Sequence, residues 1–261
     1  MVDQEIIHIA AGPPVNIGAD LVKSVSAIIN KSRYDTQLLL AGSIPKIIAH
    51  CDSMEKAEST IKNLKAIGIT GIAFRDSELR QPQQNFKAQS IEFQEHGCLF
   101  RNRSRRERKI EKSEAFIILE GKRQTSGELE STITKTKLNL TATLLTGGIP
   151  ILRKVKEKTS TLPVQTEYFV RLYNPDPSEP GIEILQNEMD YSFLGVMKDI
   201  SSLINFNRLV SKLRKTFSEA IFDNSLTRAF GNFAYSQDAS VDMEINCKLI
   251  YSFYLLGSGF K

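Results

Sequence analysis

Five arginines fall within the eight residues from Arg101 to Arg108, and Lys109 follows them. Guanidinium groups fork onto phosphate oxygens through paired hydrogen bonds, so a cluster on the connection between two strands predicts binding of anionic lipid or phosphate. The alternative interpretation is a solvated hairpin tip whose charge keeps other proteins away. The candidate anion-binding residues are Arg101, Arg103, Arg105, Arg106, Arg108 and Lys109.

A second basic group lies on one face of a predicted helix, where Arg208, Lys212 and Lys215 follow each other at i, i+4 and i+7. Together with the arginine cluster they would suit a nucleic-acid backbone. No aromatic residues are interleaved to stack on bases, which disfavours nucleic acid as a partner. The other interpretation is the charged outer face of an amphipathic helix.

We find no residue pattern that indicates catalysis, a metal or a cofactor. The three cysteines are odd in number and far apart, and the histidines show no ligand spacing. No glycine-rich phosphate loop is present. His96 and Cys98 straddle a predicted turn, where a structural pair is the expectation and a hydrolase site the weaker alternative. We therefore expect a protein that is not an enzyme and needs no cofactor.

Composition is that of an ordinary globular protein. The 261 residues are 41% hydrophobic and 25% charged, with a net charge of +4. No apolar run reaches the roughly 18 residues of a membrane span, and Asp3 and Glu5 stand where a signal peptide carries lysines. Unpaired cysteines fit a reducing compartment, so the expected location is cytoplasmic.

The first 76 residues predict a small domain of alternating strands and helices. A strand around Ile7 precedes a helix that begins near Asn16, and a short helix over Asp35–Leu40 precedes a strand over Lys46–Cys51. Asp52 is predicted to cap the next helix, which Gly68 ends before a last strand. The order is βααβαβ.

The rest of the chain predicts a linker, a β-rich domain and a tail. The polar residues 77–85 form the linker, residues 86–231 the second domain and residues 232–261 a docked tail. We expect a hairpin joining Tyr168–Tyr173 to Ile182–Leu185, a short strand over Asp190–Leu194 and a long amphipathic helix over Ser202–Ile221. The tail fits both a strand and a helix, and helix is favoured.

Two resemblances add to these patterns, and the first concerns the N-terminal part. Ala10-Ala11-Gly12 follow the first strand, Leu39-Leu40 lead to Pro45, and Gly68-Ile69 precede the closing strand. With this order of elements, residues 5–75 resemble the C-terminal domain of the bacterial ribosomal stalk protein. The matching helix carries Asp35 and Leu38 where that family has lysines, so the resemblance implies the fold and not a ribosomal role.

The second resemblance rests on the run from Asp190 to Gly195 and on Asn205-Phe206-Asn207-Arg208-Leu209-Val210 after it. The second domain resembles a bacterial pleckstrin-homology-like domain. This implies an α+β fold in which a β-roll or barrel is closed by the long helix, and it implies anionic head groups at the first inter-strand loop. The whole chain resembles uncharacterised bacterial proteins that join two such modules.

The patterns and the resemblances together predict a cytoplasmic bacterial adaptor or scaffold that binds a protein partner. Tyr34, Leu38 and Leu39 are the candidate partner surface in the first domain. The alternative is a peripheral binder of anionic lipid or phosphate through residues 101–109.

Overall fold

The computed structural model describes residues 5–126, 131–138, 152–159, 164–228 and 239–257. The chain forms two compact units, one made of Met1–Arg123 with Glu167–Lys261 and the other of Gln124–Thr166. The first unit contains several open sheets with helices between and around them, which is a mixed α+β architecture.

The N-terminal elements follow the predicted order. They are β1 (Ile7–Ala11), α1 (Ala19–Ile29), α2 (Arg33–Leu40), β2 (Lys46–Cys51), α3 (Met54–Ala66), β3 (Gly71–Arg75) and α4 (Asp76–Arg80). Strand β1 is central and pairs antiparallel with both β2 and β3. One face of this small sheet packs on α1 and α3 through Ile9, Val25 and Leu64, which are fully buried. The bounds of β2 are those that the sequence predicted.

Both predicted helix caps are wrong. Helix α1 begins after Gly18, whose carbonyl accepts a hydrogen bond from Val22, and not near Asn16. Helix α3 is capped by Ser53, whose hydroxyl accepts from the N–H of Lys56. Asp52 lies one residue too early and forms an ion pair with Lys56 at 2.7 Å.

The linker prediction is wrong for its first residues, because Asp76–Arg80 form α4. Leu79 is only 2% exposed in this helix, and it packs against the C-terminal helix of the chain. One buried leucine among polar neighbours produces no visible hydrophobic period, so the sequence pattern was that of a loop.

The β-rich part carries two sheets. Its elements are β4 (Phe86–Ala88), β5 (Ser90–Gln94), β6 (Gly97–Arg101), β7 (Glu107–Glu111), β8 (Ile117–Ser126), β11 (Val164–Tyr173), β12 (Ile182–Leu185), a 3₁₀ helix (Ser192–Met197), α5 (Ser202–Thr216), β13 (Ile221–Leu226) and α6 (Ala239–Leu255). The five-stranded sheet has the order β13-β8-β11-β12-β4, and β5, β6 and β7 form an antiparallel sheet of three. Neither sheet closes into a barrel within the described ranges, so the barrel alternative is wrong.

Three predictions in this part met different outcomes. The hairpin of β11 and β12 is confirmed, with Val170 paired to Ile184. The short strand expected over Asp190–Leu194 is wrong, because the 3₁₀ helix begins at Ser192. The long helix is confirmed, but it ends at Thr216, and Ile221 begins a strand that the sequence analysis missed.

Helix α5 packs on one face of the five-stranded sheet, as its stripe of apolar residues predicted. Phe206, Leu209, Leu213 and Phe217 are all buried there beside Phe100 of the three-stranded sheet. This cluster is the largest core of the molecule.

Helix α6 confirms the favoured interpretation of the tail and lies between two sheets. Ile245, Leu249 and Phe253 pack against the small N-terminal sheet, whereas Cys247 and Ile250 pack against the five-stranded sheet. The helix interpretation of the tail also placed Leu256 on the buried face, which is wrong, since Leu256 is 60% exposed. Because α6 joins both parts, the N-terminal residues do not form a separate compact unit. The predicted domain boundary at 231 and 232 lies outside the described residues.

The second unit contains the hairpin of β9 (Ser131–Leu138) and β10 (Leu152–Thr159). The two strands pair antiparallel from Leu152 opposite Leu138 to Thr159 opposite Ser131.

Candidate functional site

The arginine cluster lies on the hairpin of β6 and β7, as the sequence predicted. Arg101 pairs with Glu107 across the two strands, and residues 102–106 form the turn. The side-chain oxygen of Asn102 accepts from the N–H of Arg106 at 2.9 Å and holds the turn closed. Arg105 has a φ of 58°, a left-handed conformation that costs a non-glycine residue about 1–2 kcal/mol.

Half of the predicted anion-binding residues are neutralised by carboxylates of the protein. Arg101 contacts Glu107 at 2.7 Å and Glu92 at 3.1 Å, and Arg108 contacts Glu179 at 3.2 Å. Lys109 contacts Glu111 at 2.9 Å. The remaining three, Arg103, Arg105 and Arg106, are exposed and have no ion pair within the described ranges. The tip is thus the part of the cluster that is available to an external anion.

The second basic group lies beside an apolar surface that sequence analysis missed. The 3₁₀ helix and the turn after it expose Val196 and Ile200 completely, and Met197 to 58%. Leu203 and Ile204 continue this exposed surface onto the first turn of α5. We call residues 196–204 the apolar loop. Its signal in the sequence was the group of five apolar residues between Val196 and Ile204, which the sequence analysis did not consider.

A groove of about 580 Å³ joins the apolar loop to the basic residues of α5. It is lined by Leu194, Met197, Ile204, Asn207, Arg208, Ser211, Lys212 and Lys215. Arg208 donates a hydrogen bond to the carbonyl of Met197, which fixes the loop on the helix. Lys212 lies 4.3 Å above the ring of Phe93, a cation–π contact that positions its ammonium group.

The charge around the apolar loop is positive. The apolar loop and the groove carry four cationic residues, Lys198, Arg208, Lys212 and Lys215, and one acidic residue, Asp199. Oδ1 of Asp199 accepts one hydrogen bond from the backbone N–H of Ser201, which holds the loop in its turn. Exposed aliphatic side chains surrounded by cations are the arrangement of a surface that meets an apolar and anionic partner.

The predicted partner surface on α2 is partly exposed. Tyr34 is 71% exposed and Leu38 43%, whereas Leu39 packs partly against the N-terminal core. The carbonyl of Leu38 also accepts a hydrogen bond from Lys46 at 3.2 Å. Two of the three residues therefore face solvent, on a smaller apolar surface than the apolar loop.

A histidine pair, also missed, lies at the edge of the small sheet. His8 on β1 and His50 on β2 are direct cross-strand partners, with their Nδ1 atoms 2.8 Å apart. Nε2 of His8 lies 2.7 Å from Oδ1 of Asp76, which in turn contacts Arg80 at 2.7 Å. Nε2 of His8 donates to Asp76, and between the two Nδ1 atoms one ring donates to the other. The pairing of β1 with β2, 42 residues apart, had no signal in residue spacing.

Cys98, which the sequence analysis weighed with His96 as a catalytic pair, is poorly suited to act as a nucleophile. Cys98 is fully buried on β6, and its burial raises the pKa of the thiol to about 12. Burial raises the pKa of Cys247 to about 12 in the same way. A neutral, buried thiol is a poor nucleophile.

No family model, no curated protein and no solved structure matches this chain. Within the described part of the chain, no three or more His, Cys, Asp or Glu residues group in a way that would hold a metal ion. Nor does any helix there have the length and apolar content to cross a membrane. A function for this protein is therefore inferred from the geometry of its exposed surfaces.

Proposed function

We propose that this protein is a non-catalytic binding protein that docks on an anionic lipid surface through the apolar loop and the basic residues of α5. The observation that carries the proposal is the complete exposure of Val196 and Ile200 on one turn, with Lys198 between them and Arg208 beside them. Soluble surfaces rarely present such side chains together unless a partner covers them.

The magnitudes support a bilayer as the partner. Removing one large aliphatic side chain from water contributes about 1.5–3 kcal/mol, so Val196 and Ile200 contribute roughly 3–6 kcal/mol. Each lysine or arginine near an anionic leaflet contributes about 1 kcal/mol. Three net positive charges raise the sum to roughly 6–9 kcal/mol, which is an affinity on the order of micromolar. Neither the apolar contribution nor the electrostatic contribution alone gives an affinity of this order.

The arginine hairpin is a second contact in this proposal. Arg103, Arg105 and Arg106 would bind phosphate groups, in agreement with the position of head-group sites in the pleckstrin-homology-like domains that the second domain resembles. The antiparallel hairpin of β11 and β12, which the amphipathic helix α5 follows in the chain, supports this resemblance. A cytoplasmic location is part of the proposal, and the unpaired cysteines support it.

A protein partner is the second candidate, and the groove favours it. Leu194, Met197 and Ile204 form an apolar floor of the kind that receives an amphipathic helix, and the flanking lysines would suit acidic residues on that helix. In this case the protein would be an adaptor, and the stalk-like N-terminal part would offer Tyr34 and Leu38 to a further partner.

Sedimentation with lipid vesicles tests the proposal. We expect the full chain to sediment with vesicles that contain phosphatidylglycerol and to stay in solution with pure phosphatidylcholine. Binding should weaken as salt rises, because the electrostatic part is screened. The double variant Val196→Ser/Ile200→Ser should lose affinity at least about tenfold, since two apolar side chains no longer enter the bilayer.

The control is Val15→Ser, which alters an aliphatic residue that is 87% exposed on the N-terminal part. It should bind vesicles as the unmodified protein does. The variant Arg103→Gln/Arg105→Gln/Arg106→Gln measures the hairpin separately. The lipid proposal is wrong if Val196→Ser/Ile200→Ser binds anionic vesicles as strongly as the unmodified protein, or if the unmodified protein does not bind them. In that case the groove is the site to test, with acidic helical peptides.

A further inference from the structure

A cleft of about 610 Å³ lies at one end of the small N-terminal sheet, away from the apolar loop. Its walls include the loops Gly12–Val15 and Gly68–Thr70, which adjoin β1 and β3. The opposite wall is the end of β13, Phe222–Ser225, with Arg228 and Tyr254 beside it. We call it the loop cleft. Its volume lies in the range of small-molecule sites.

Asp223 supplies a carboxylate to the wall of the loop cleft. The residue is only 8% exposed. Its Oδ1 accepts from the backbone N–H of Ser225 at 2.7 Å, and its Oδ2 accepts from the hydroxyl of Tyr254 at 2.8 Å. A carboxylate offers about four acceptor positions, so these two bonds leave it unsaturated.

Asp223 has no cationic partner within the described ranges of the chain. This is unusual, because a buried charge is ordinarily paired. The Tyr254 hydroxyl is a neutral donor, and burial together with its bond to Asp223 raises the pKa of that hydroxyl. Tyr254 therefore gives Asp223 a hydrogen bond and no positive charge.

Two further groups of the loop cleft lack partners in the described structure. The hydroxyl of Ser225 is buried and makes no hydrogen bond. Such groups are rare in folded proteins and each calls for an explanation. Arg228 lies exposed in the wall of the cleft and forms no ion pair with a described residue. Asp223, Ser225 and Arg228 thus all line one space.

We propose that the loop cleft binds a small molecule with an ammonium group, of the amino-acid class. The ammonium group donates to Asp223 and to Ser225, which supplies the missing counter-charge and the missing hydrogen bond. The carboxylate of the ligand lies toward Arg228, which can bind it with two parallel bonds. Phe222 and the prolines Pro13 and Pro14 give the apolar surface for a side chain.

Titration calorimetry on the full chain tests the proposal with two sets of probes. One set is the α-amino acids, and the other is the diamine putrescine with spermidine, which carry ammonium groups and no carboxylate. We expect heat of binding with at least one amino acid. Arg228→Gln should weaken the binding of amino acids and leave the binding of polyamines unchanged. Asp223→Asn should lower the affinity for every ligand at least about tenfold.

Two controls separate binding from folding. Asp176→Asn removes an exposed carboxylate that also accepts from a backbone N–H two residues on, at Ser178, and it should bind as the unmodified protein does. Ser225→Ala removes a hydroxyl without a partner, so it should not lower the thermal midpoint of the free protein, yet it should weaken the ligand.

The proposal is overturned if no amino acid and no polyamine binds at millimolar concentration. It is equally overturned if a ligand binds but Asp223→Asn and Ser225→Ala, both folded, leave its affinity unchanged. Binding of polyamines alone would remove the role of Arg228 and with it the amino-acid class. Vesicle binding does not enter this test, so its outcome is independent of the lipid proposal.

Discussion

At the scale of single residues, the hydrogen-bond chain from His50 through His8 to Asp76 couples folding to pH. The pKa of His50 lies below its ordinary value, because burial and then the charges of His8 and Lys31 disfavour its protonated form. In the unfolded chain the ring titrates near 6.5. As the pH falls, His50 therefore takes up its proton in the unfolded state before it does so in the folded state. The contribution of neutral His50 to the stability of the fold is complete above about pH 7, and it is lost as the pH falls toward the lower pKa of the folded state.

Replacing the histidine should reduce this dependence. We expect the urea midpoint of the unmodified protein to fall between about pH 7.5 and 5.5, and that of His50→Gln to fall less. Burial raises the pKa of Asp76, but the hydrogen bonds from Arg80 and His8 lower it by more. The Asp76 carboxyl therefore titrates below this pH range. His96→Gln, in the turn between β5 and β6, is the control, and equal slopes for all three proteins would refute the coupling.

Single residues also show how far the sequence could predict the candidate site. The arginine cluster was visible because all six of its basic residues lie within the nine consecutive residues 101–109. The neutralisation of Arg108 by Glu179 was not, since the two are 71 residues apart and meet only when β7 lies beside the turn between β11 and β12. Asp223 and Tyr254, which meet in the loop cleft, had no signal for the same reason.

At the scale of elements, the spacing of apolar residues predicted a helix or strand wherever only one face of that element is buried. The stripe of α5 predicted its core residues, and β12 has the predicted bounds. The 3₁₀ helix and α4 are too short to show a period. The tail was ambiguous for a physical reason: α6 buries two opposite faces, so apolar residues at both i+2 and i+4 spacing are required.

A buried ionic group joins three of these elements. Arg171 on β11 is 1% exposed and contacts Glu183 on β12 at 2.5 Å and Glu244 on α6 at 2.8 Å. Arg171→Met would leave the carboxylate of Glu183 buried without a partner. We expect the free energy of unfolding to fall by about 3–5 kcal/mol in urea.

The double variant Arg171→Met/Glu183→Leu removes both buried charges and should recover a large part of that loss. Lys56→Met, which breaks the exposed pair with Asp52, is the control and should leave the free energy of unfolding nearly unchanged. A double variant as unstable as Arg171→Met would show that the loss comes from packing and not from the unpaired carboxylate.

At the scale of the whole molecule, the first unit is a stack in which α6 lies between the small sheet and the five-stranded sheet. The small sheet buries one face on α1 and α3 and the other on α6. Ala10, Ile47 and Leu79 are at most 7% exposed only because Ile245, Leu249 and Phe253 cover them. One face of the small sheet therefore depends on the last helix of the chain for its burial.

We expect a fragment of residues 1–81 not to fold on its own, in contrast to a self-contained stalk-like domain. Each large apolar side chain left uncovered removes about 1.5–3 kcal/mol, and a domain has only about 5–15 kcal/mol in total. The fragment should bind the dye ANS and unfold without a cooperative transition. Mixing it with residues 82–261 should restore the transition, whereas the complementary fragment with Leu249→Asp should fail to do so, because a charge would then face the small sheet. A sharp transition of the isolated fragment, without dye binding, would show that the small sheet is stable when its second face is open to water.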